Sequence, residues 1–167
     1  MKNPLILIVP IILIAGGALF FFAARGTQES NQKPAASQQE THIMGYQGNV
    51  LAGASSPYLE FTKADYQKAL AENKIVVLDF YANWCPICRA EAPELKSGFD
   101  ALNTDKVIGF RVNFNDNETD DDEKALAQEF NIPYQHTKVV LKNGQEVKRS
   151  GDQWDQETFD QEIQSVI

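Results

Sequence analysis

The stretch from Asp79 to Arg89, Asp-Phe-Tyr-Ala-Asn-Trp-Cys-Pro-Ile-Cys-Arg, constrains this chain more than any other. It holds both cysteines of the 167-residue sequence, Cys85 and Cys88, with Pro86 and Ile87 between them. An apolar, β-branched run, Ile75-Val76-Val77-Leu78, enters it, and a helix-favouring run, Arg89-Ala90-Glu91-Ala92-Pro93-Glu94-Leu95-Lys96, leaves it. Strand, Cys-x-x-Cys and helix in that order place both sulfurs at a helix N-terminus. Free N–H groups and the positive end of the helix dipole there favour a thiolate. A thiolate beside a second thiol is what disulfide exchange needs, one sulfur attacking and the other resolving. Cys85, nearest the helix start, is expected to be the nucleophile and the more exposed of the two, and Cys88 the resolving thiol. Pro86 suits the first helical turn, where its missing N–H costs nothing. Two cysteines cannot build a multi-disulfide scaffold or fill a tetrahedral zinc site by themselves. A purely structural bridge would be a weak staple, because stabilisation grows with loop length and this loop is tiny.

At these residues the chain resembles the thioredoxin family. Trp84-Cys85-Pro86-Ile87-Cys88 matches that family's Trp-Cys-x-x-Cys motif, Asp79 matches its buried aspartate, and Pro93 matches the proline that kinks its active-site helix. The resemblance implies an α/β thioredoxin fold, a central mixed β-sheet flanked by helices. It also implies a protein-disulfide oxidoreductase whose redox centre is a Cys85–Cys88 disulfide, with no further cofactor. Cys85, Cys88 and Asp79 are then the catalytic residues, and Asp79 moves a proton to and from Cys88. The apolar neighbours Leu78 and Phe80 argue for a buried carboxyl with a raised pKa, suited to that transfer. Trp84, Pro86, Ile87, His136 and Thr137 are the expected substrate-binding residues, Trp84 also shielding the sulfurs. Pro86-Ile87 stands where thioredoxins carry Gly-Pro, so the reduction potential does not carry over.

The rest of the chain sets the context. Residues 5–24 are apolar and uncharged, long enough to span a bilayer as a helix, with Lys2 before them and Arg25 after. They read as an uncleaved signal anchor, a cleaved signal peptide being the alternative. Lys2 and the α-amine favour an inside N-terminus, which puts the C-terminal domain on the extracytoplasmic side. The expected domains are a transmembrane anchor at 1–25, a flexible linker at 26–57 and a thioredoxin-like domain at 58–167; the linker is rich in Gln, Ser, Ala and Asn up to about Gln39, and from His42 to Pro57 it either continues the tether or packs loosely on the domain. Within the last, the pattern reads β-α-β-α-β-α-β-β-α, with Asn143-Gly144 as a hairpin turn. The acidic run from Asp116 to Glu123 reads as a solvated loop and helix first turn rather than a calcium site. A net charge of −8 argues against nucleic acid. Expected partners are protein thiol or disulfide substrates, the membrane through residues 5–24, and a membrane redox partner that resets the cysteines.

One departure matters. The family places a cis-proline, often followed by threonine, opposite the cysteines. Ile132-Pro133 offers that step only with extra residues before the next strand. A gapless alignment instead runs Thr137 to Gly144 onto the strand and turn and puts His136 in the proline's place. His136 would then face both sulfurs. Protonated, it would favour a thiolate at Cys85. Neutral, it would complete an open set of three ligands, Cys85, Cys88 and His136, suited to Cu(I) or Zn(II). The second functional expectation is therefore a copper-binding, thioredoxin-like metallochaperone.

Overall fold

The computed structural model describes residues 45–167. The expected anchor at 5–24 and the first part of the expected linker lie outside the described residues. Among the described residues no helix is long and apolar enough to cross a membrane. The elements in chain order are β1 (Val50–Ala52), β2 (Tyr58–Glu60), α1 (Lys63–Ala71), β3 (Ile75–Tyr81), α2 (Pro86–Ala101), β4 (Val107–Asn113), α3 (Asp121–Glu129), β5 (Thr137–Lys142), β6 (Gln145–Ser150) and α4 (Gln156–Gln164). From β2 onward this is the expected order.

The strands form one mixed sheet, ordered β1-β2-β4-β3-β5-β6. β3 lies inside it, parallel to β4 and antiparallel to β5. Its first six residues are all buried, which is why its sequence is a continuous apolar run rather than an alternating one. One face carries Leu59, Val76, Leu78, Phe80, Phe110, Val112 and Val139 and packs with Tyr66 of α1 and Leu126 of α3. The other carries Tyr58, Ile75, Val77, Val107 and Val140 and packs with Leu95 and Phe99 of α2 and Phe159 and Ile163 of α4. At Gly98 the two helices touch so closely that a Cβ would lie 2.2 Å from the Phe159 ring.

Caps define the helix starts. Thr62 accepts the Asp65 N–H, as its sequence position implies. Asp120 and Glu123 form a reciprocal capping box at α3. That accounts for part of the acidic run, and Asp116 accounts for more, accepting from Asn83 N, Glu118 N and Thr119 Oγ1.

At the end of the expected 26–57 linker, packing on the domain rather than a continued tether is observed. Residues 45–57 belong to the folded unit: β1 pairs antiparallel with β2, and Tyr46 is 2 % exposed. The Asp65 carboxylate binds the N–H groups of both Gln47 and Gly48. Lacking an apolar period, this segment is held by backbone pairing and by helix-borne carboxylates, Asp65 and, through the Gly53 N–H, Asp100, none of which leaves a pattern in composition.

Candidate functional site

β3 delivers the motif and α2 receives it. Cys85 is the N-cap of α2, with extended backbone angles, and its Sγ accepts the Cys88 N–H at 3.2 Å. Pro86 takes the first helical position. A sulfur therefore does what a Ser or Asp oxygen does at other N-caps, receiving one of the helix's unpaired donors. Both cysteines are free thiols. Burial first, and then the hydrogen bond with Cys85, push the Cys88 thiol up to about 12.

Cys85 is not the more exposed thiol: it is 2 % exposed and Cys88 is 3 %. Thr137 opens β5 opposite Phe80, so the gapless alignment describes the observed placement, and His136 sits immediately before that strand. A ring nitrogen of His136 and the two Sγ atoms all lie within 4.8 Å of one another. The two cysteines are clustered with Ala82, and Tyr81 packs against them. Pro133 is exposed, and Ile132 is tied back to the end of α3 through its N–H to Ala127 O. His136 is held by its own N–H, which donates to Phe80 O at 2.6 Å, and it adopts φ +54°, a left-handed conformation that histidine enters more readily than most residues. Its Nδ1 is buried without a hydrogen-bond partner. Burial first, and then the nearby Lys138 cation, hold His136 below its ordinary value. Both causes disfavour the protonated ring that would assist a Cys85 thiolate.

Beneath the thiols lies Asp79, 4 % exposed. Alternation along β3 puts it on the face shared with Val77, toward α2. Its Oδ2 accepts the Tyr58 hydroxyl at 2.7 Å. Burial first, and then the charge of Glu91, push its pKa up to about 6 against the opposing pull of the Tyr58 hydrogen bond, Lys138 and Arg111. Cys88 feels its charge. A carboxyl group that titrates near neutrality beside a thiol held protonated is placed to take that thiol's proton.

The expected substrate-binding residues divide. Trp84, 51 % exposed, and Ile87, 42 %, form an apolar rim with the exposed Pro86. The Trp84 indole N–H donates to Asn115 O, which fixes the ring. Thr137 is buried instead, its hydroxyl donating to Tyr134 O at 2.8 Å, so it braces the loop that carries His136.

Sequence reasoning missed Tyr134, which is 46 % exposed with its ring 5.2 Å from that of His136 and extends the rim. It also missed a buried ion pair. Lys138, 0 % exposed, donates to Glu91 Oε1 at 2.5 Å; Glu91 is 1 % exposed and also accepts the Trp154 N–H at 2.6 Å. Lys138 is the register partner of Asp79. The signal was present: Glu91 falls between Cys88 and Leu95 on the inward face of α2, and Lys138 directly precedes the buried apolar run Val139-Val140-Leu141.

Comparison with known proteins agrees with this geometry. The family model described as Thioredoxin matches residues 57–165. Thioredoxin-2 of Pyricularia oryzae is 32% identical over 118 residues, 70% of this chain and 63% of that protein. Thioredoxin-T of Drosophila melanogaster is 38% identical over 80 residues, 48% of this chain and 46% of that protein. The chain thus spans less than two thirds of the length of either relative. Among solved structures, Trxlp from Edwardsiella tarda EIB202 is 33% identical with a TM-score of 0.52, covering 60% of this chain and 93% of that chain.

Proposed function

This chain belongs to the thioredoxin family, and from that premise we propose that it is a thiol–disulfide oxidoreductase tethered to a membrane, with its catalytic domain on the extracytoplasmic side. The observation that carries the chemical part is the dithiol at the head of α2 above a buried carboxyl group: Cys85 caps the helix, and Asp79 titrates near neutrality beneath Cys88. The tether rests on the apolar residues 5–24 and on Lys2 ahead of them.

In the reductive direction the Cys85 thiolate attacks one sulfur of a substrate disulfide. The substrate S–S bond breaks, its leaving thiolate takes a proton, and Cys85 is joined to substrate through a mixed disulfide. Asp79 then accepts the Cys88 proton. Cys88 attacks Cys85 Sγ and expels the second substrate sulfur, and the chain is left as the Cys85–Cys88 disulfide with the substrate as a dithiol. The reverse sequence oxidises dithiols. The substrate is a protein segment docked on the rim of Trp84, Pro86, Ile87 and Tyr134, beside His136. A membrane redox partner resets the cysteines.

Two measurements test the reading. The chain should catalyse dithiothreitol-driven reduction of insulin disulfides, and Cys85→Ser should reduce the rate to background; a variant as active as the parent overturns the dithiol mechanism. In intact cells, externally added protease should remove the catalytic domain while the N-terminal segment stays membrane-bound after alkaline extraction. Protection of the domain, or its release as a soluble species, overturns the tether.

A further inference from the structure

We propose that the reduced chain carries a redox-gated Cu(I) site formed by Cys85 Sγ, Cys88 Sγ and the His136 imidazole. The proposal goes beyond disulfide exchange, although it uses the same two sulfurs. Three observations carry it. The three donor atoms already lie within 4.8 Å of one another. Donors about a common ion, with metal–sulfur and metal–nitrogen bonds of about 2.3 and 2.0–2.1 Å, lie roughly 3.5–4 Å apart, so the set needs to contract by no more than about an ångström. Next, His136 Nδ1 is buried with no hydrogen-bond partner. A desolvated ring nitrogen left unpaired needs a reason, and a place in a ligand set is one. Finally, the backbone holds the imidazole in place: the N–H of His136 is bound to Phe80 O, and Thr137 anchors the loop to Tyr134 O.

The donor set selects the ion. Two thiolates and an imidazole are soft to intermediate donors, which favours Cu(I) and Zn(II) over hard cations. Zn(II) takes four ligands and would need a water in the fourth position. Cysteines that are 2 % and 3 % exposed leave little room for one, and among the described residues no other His, Cys, Asp or Glu joins the cluster. Three-coordinate Cu(I) is the better fit.

Binding transfers no electrons. Each thiol releases its proton to solvent as its sulfur bonds the ion. Oxidation of the pair to a disulfide removes two electrons and both anionic donors, leaving only the imidazole. Holding Cu(I) and exchanging disulfides are therefore mutually exclusive states of one site.

The test uses the full chain, anaerobically, with Cu(I) supplied as its acetonitrile complex against bathocuproine disulfonate. The reduced chain should bind one Cu(I) with sulfur and nitrogen in its X-ray absorption spectrum, and the oxidised chain should bind at least about tenfold more weakly. His136→Asn keeps a residue that tolerates the left-handed backbone and removes the imidazole. It should lower affinity by at least about tenfold, the loss seen even when an outer partner of a metal site is removed. His136→Ala should do the same, with far-UV circular dichroism confirming that both variants fold. Absence of binding, sulfur-only coordination, or equal affinity in the His136 variants overturns the site. Preference for Zn(II) when both ions are offered overturns the choice of ion. Insulin reduction by the same metal-free preparation separates the two readings: exchange without copper affinity sinks only the site, and copper affinity without exchange sinks only the oxidoreductase.

Discussion

Asp79 is where stability and chemistry meet in a single side chain. Its pKa in the folded chain is about 6, against about 3.9 for an unfolded aspartate. Below about pH 4 both states hold the proton and the group costs nothing. As pH rises, the unfolded chain releases its proton first. Above about pH 6 the folded chain carries a buried carboxylate, at a cost of up to about 3 kcal/mol. Asp79→Asn should therefore be more stable than the parent by up to that amount at pH 8 and equal to it at pH 3.5, read from urea midpoints of the reduced chain. A pH-independent difference would refute the assignment. The same substitution should slow resolution of a mixed disulfide at pH 7, because the Cys88 thiol, pushed up to about 12, loses the carboxylate whose charge it feels.

Between elements, the Glu91–Lys138 pair performs the corresponding task. It joins α2 to β5, and through Trp154 N and Asp152 O it also holds the segment before α4. Both charges are out of water, so removing one strands the other. Lys138→Met should destabilise the chain by about 3–5 kcal/mol in denaturant unfolding. Glu91→Leu combined with Lys138→Met should recover most of that loss, leaving about 1 kcal/mol for the unpaired Trp154 N–H. Additive effects of the two single changes would show that the charges do not interact. The pair also sits in the field that sets Asp79, Glu91 raising its pKa and Lys138 lowering it. The double substitution should therefore leave the pH midpoint of exchange less shifted than Lys138→Met alone does.

At the scale of the molecule, the folded unit begins before the family pattern does. The family match starts at 57, whereas Tyr46, β1 and the Asp65 contacts to Gln47 and Gly48 precede it. A chain beginning at Tyr58 should unfold at a lower urea concentration than one beginning at Gln38, with a loss of at least about 2 kcal/mol, roughly the burial of one aromatic side chain. Equal midpoints would mean that the upstream segment decorates the domain without supporting it.

The sequence by itself determined the element order from β2 onward, the strand–dithiol–helix junction and the buried aspartate. Each of these is local: an apolar run, a capping residue, a turn dipeptide or a fixed spacing reports directly on its own neighbourhood. Asn143-Gly144 and Thr62 could be placed for the same reason. Only the tertiary structure decided that β1 belongs to the sheet, that Glu91 and Lys138 meet 2.5 Å apart, that Cys85 is enclosed, and that His136 lies against the two sulfurs. Those outcomes depend on contacts between residues far apart in the chain. A charge on an apolar face shows that it needs a partner, but which partner it finds depends on how β5 and α2 close over the same end of β3. The Cys-x-x-Cys thus remains the centre of the chain, and the fold adds a buried carboxyl beneath it and an imidazole beside it.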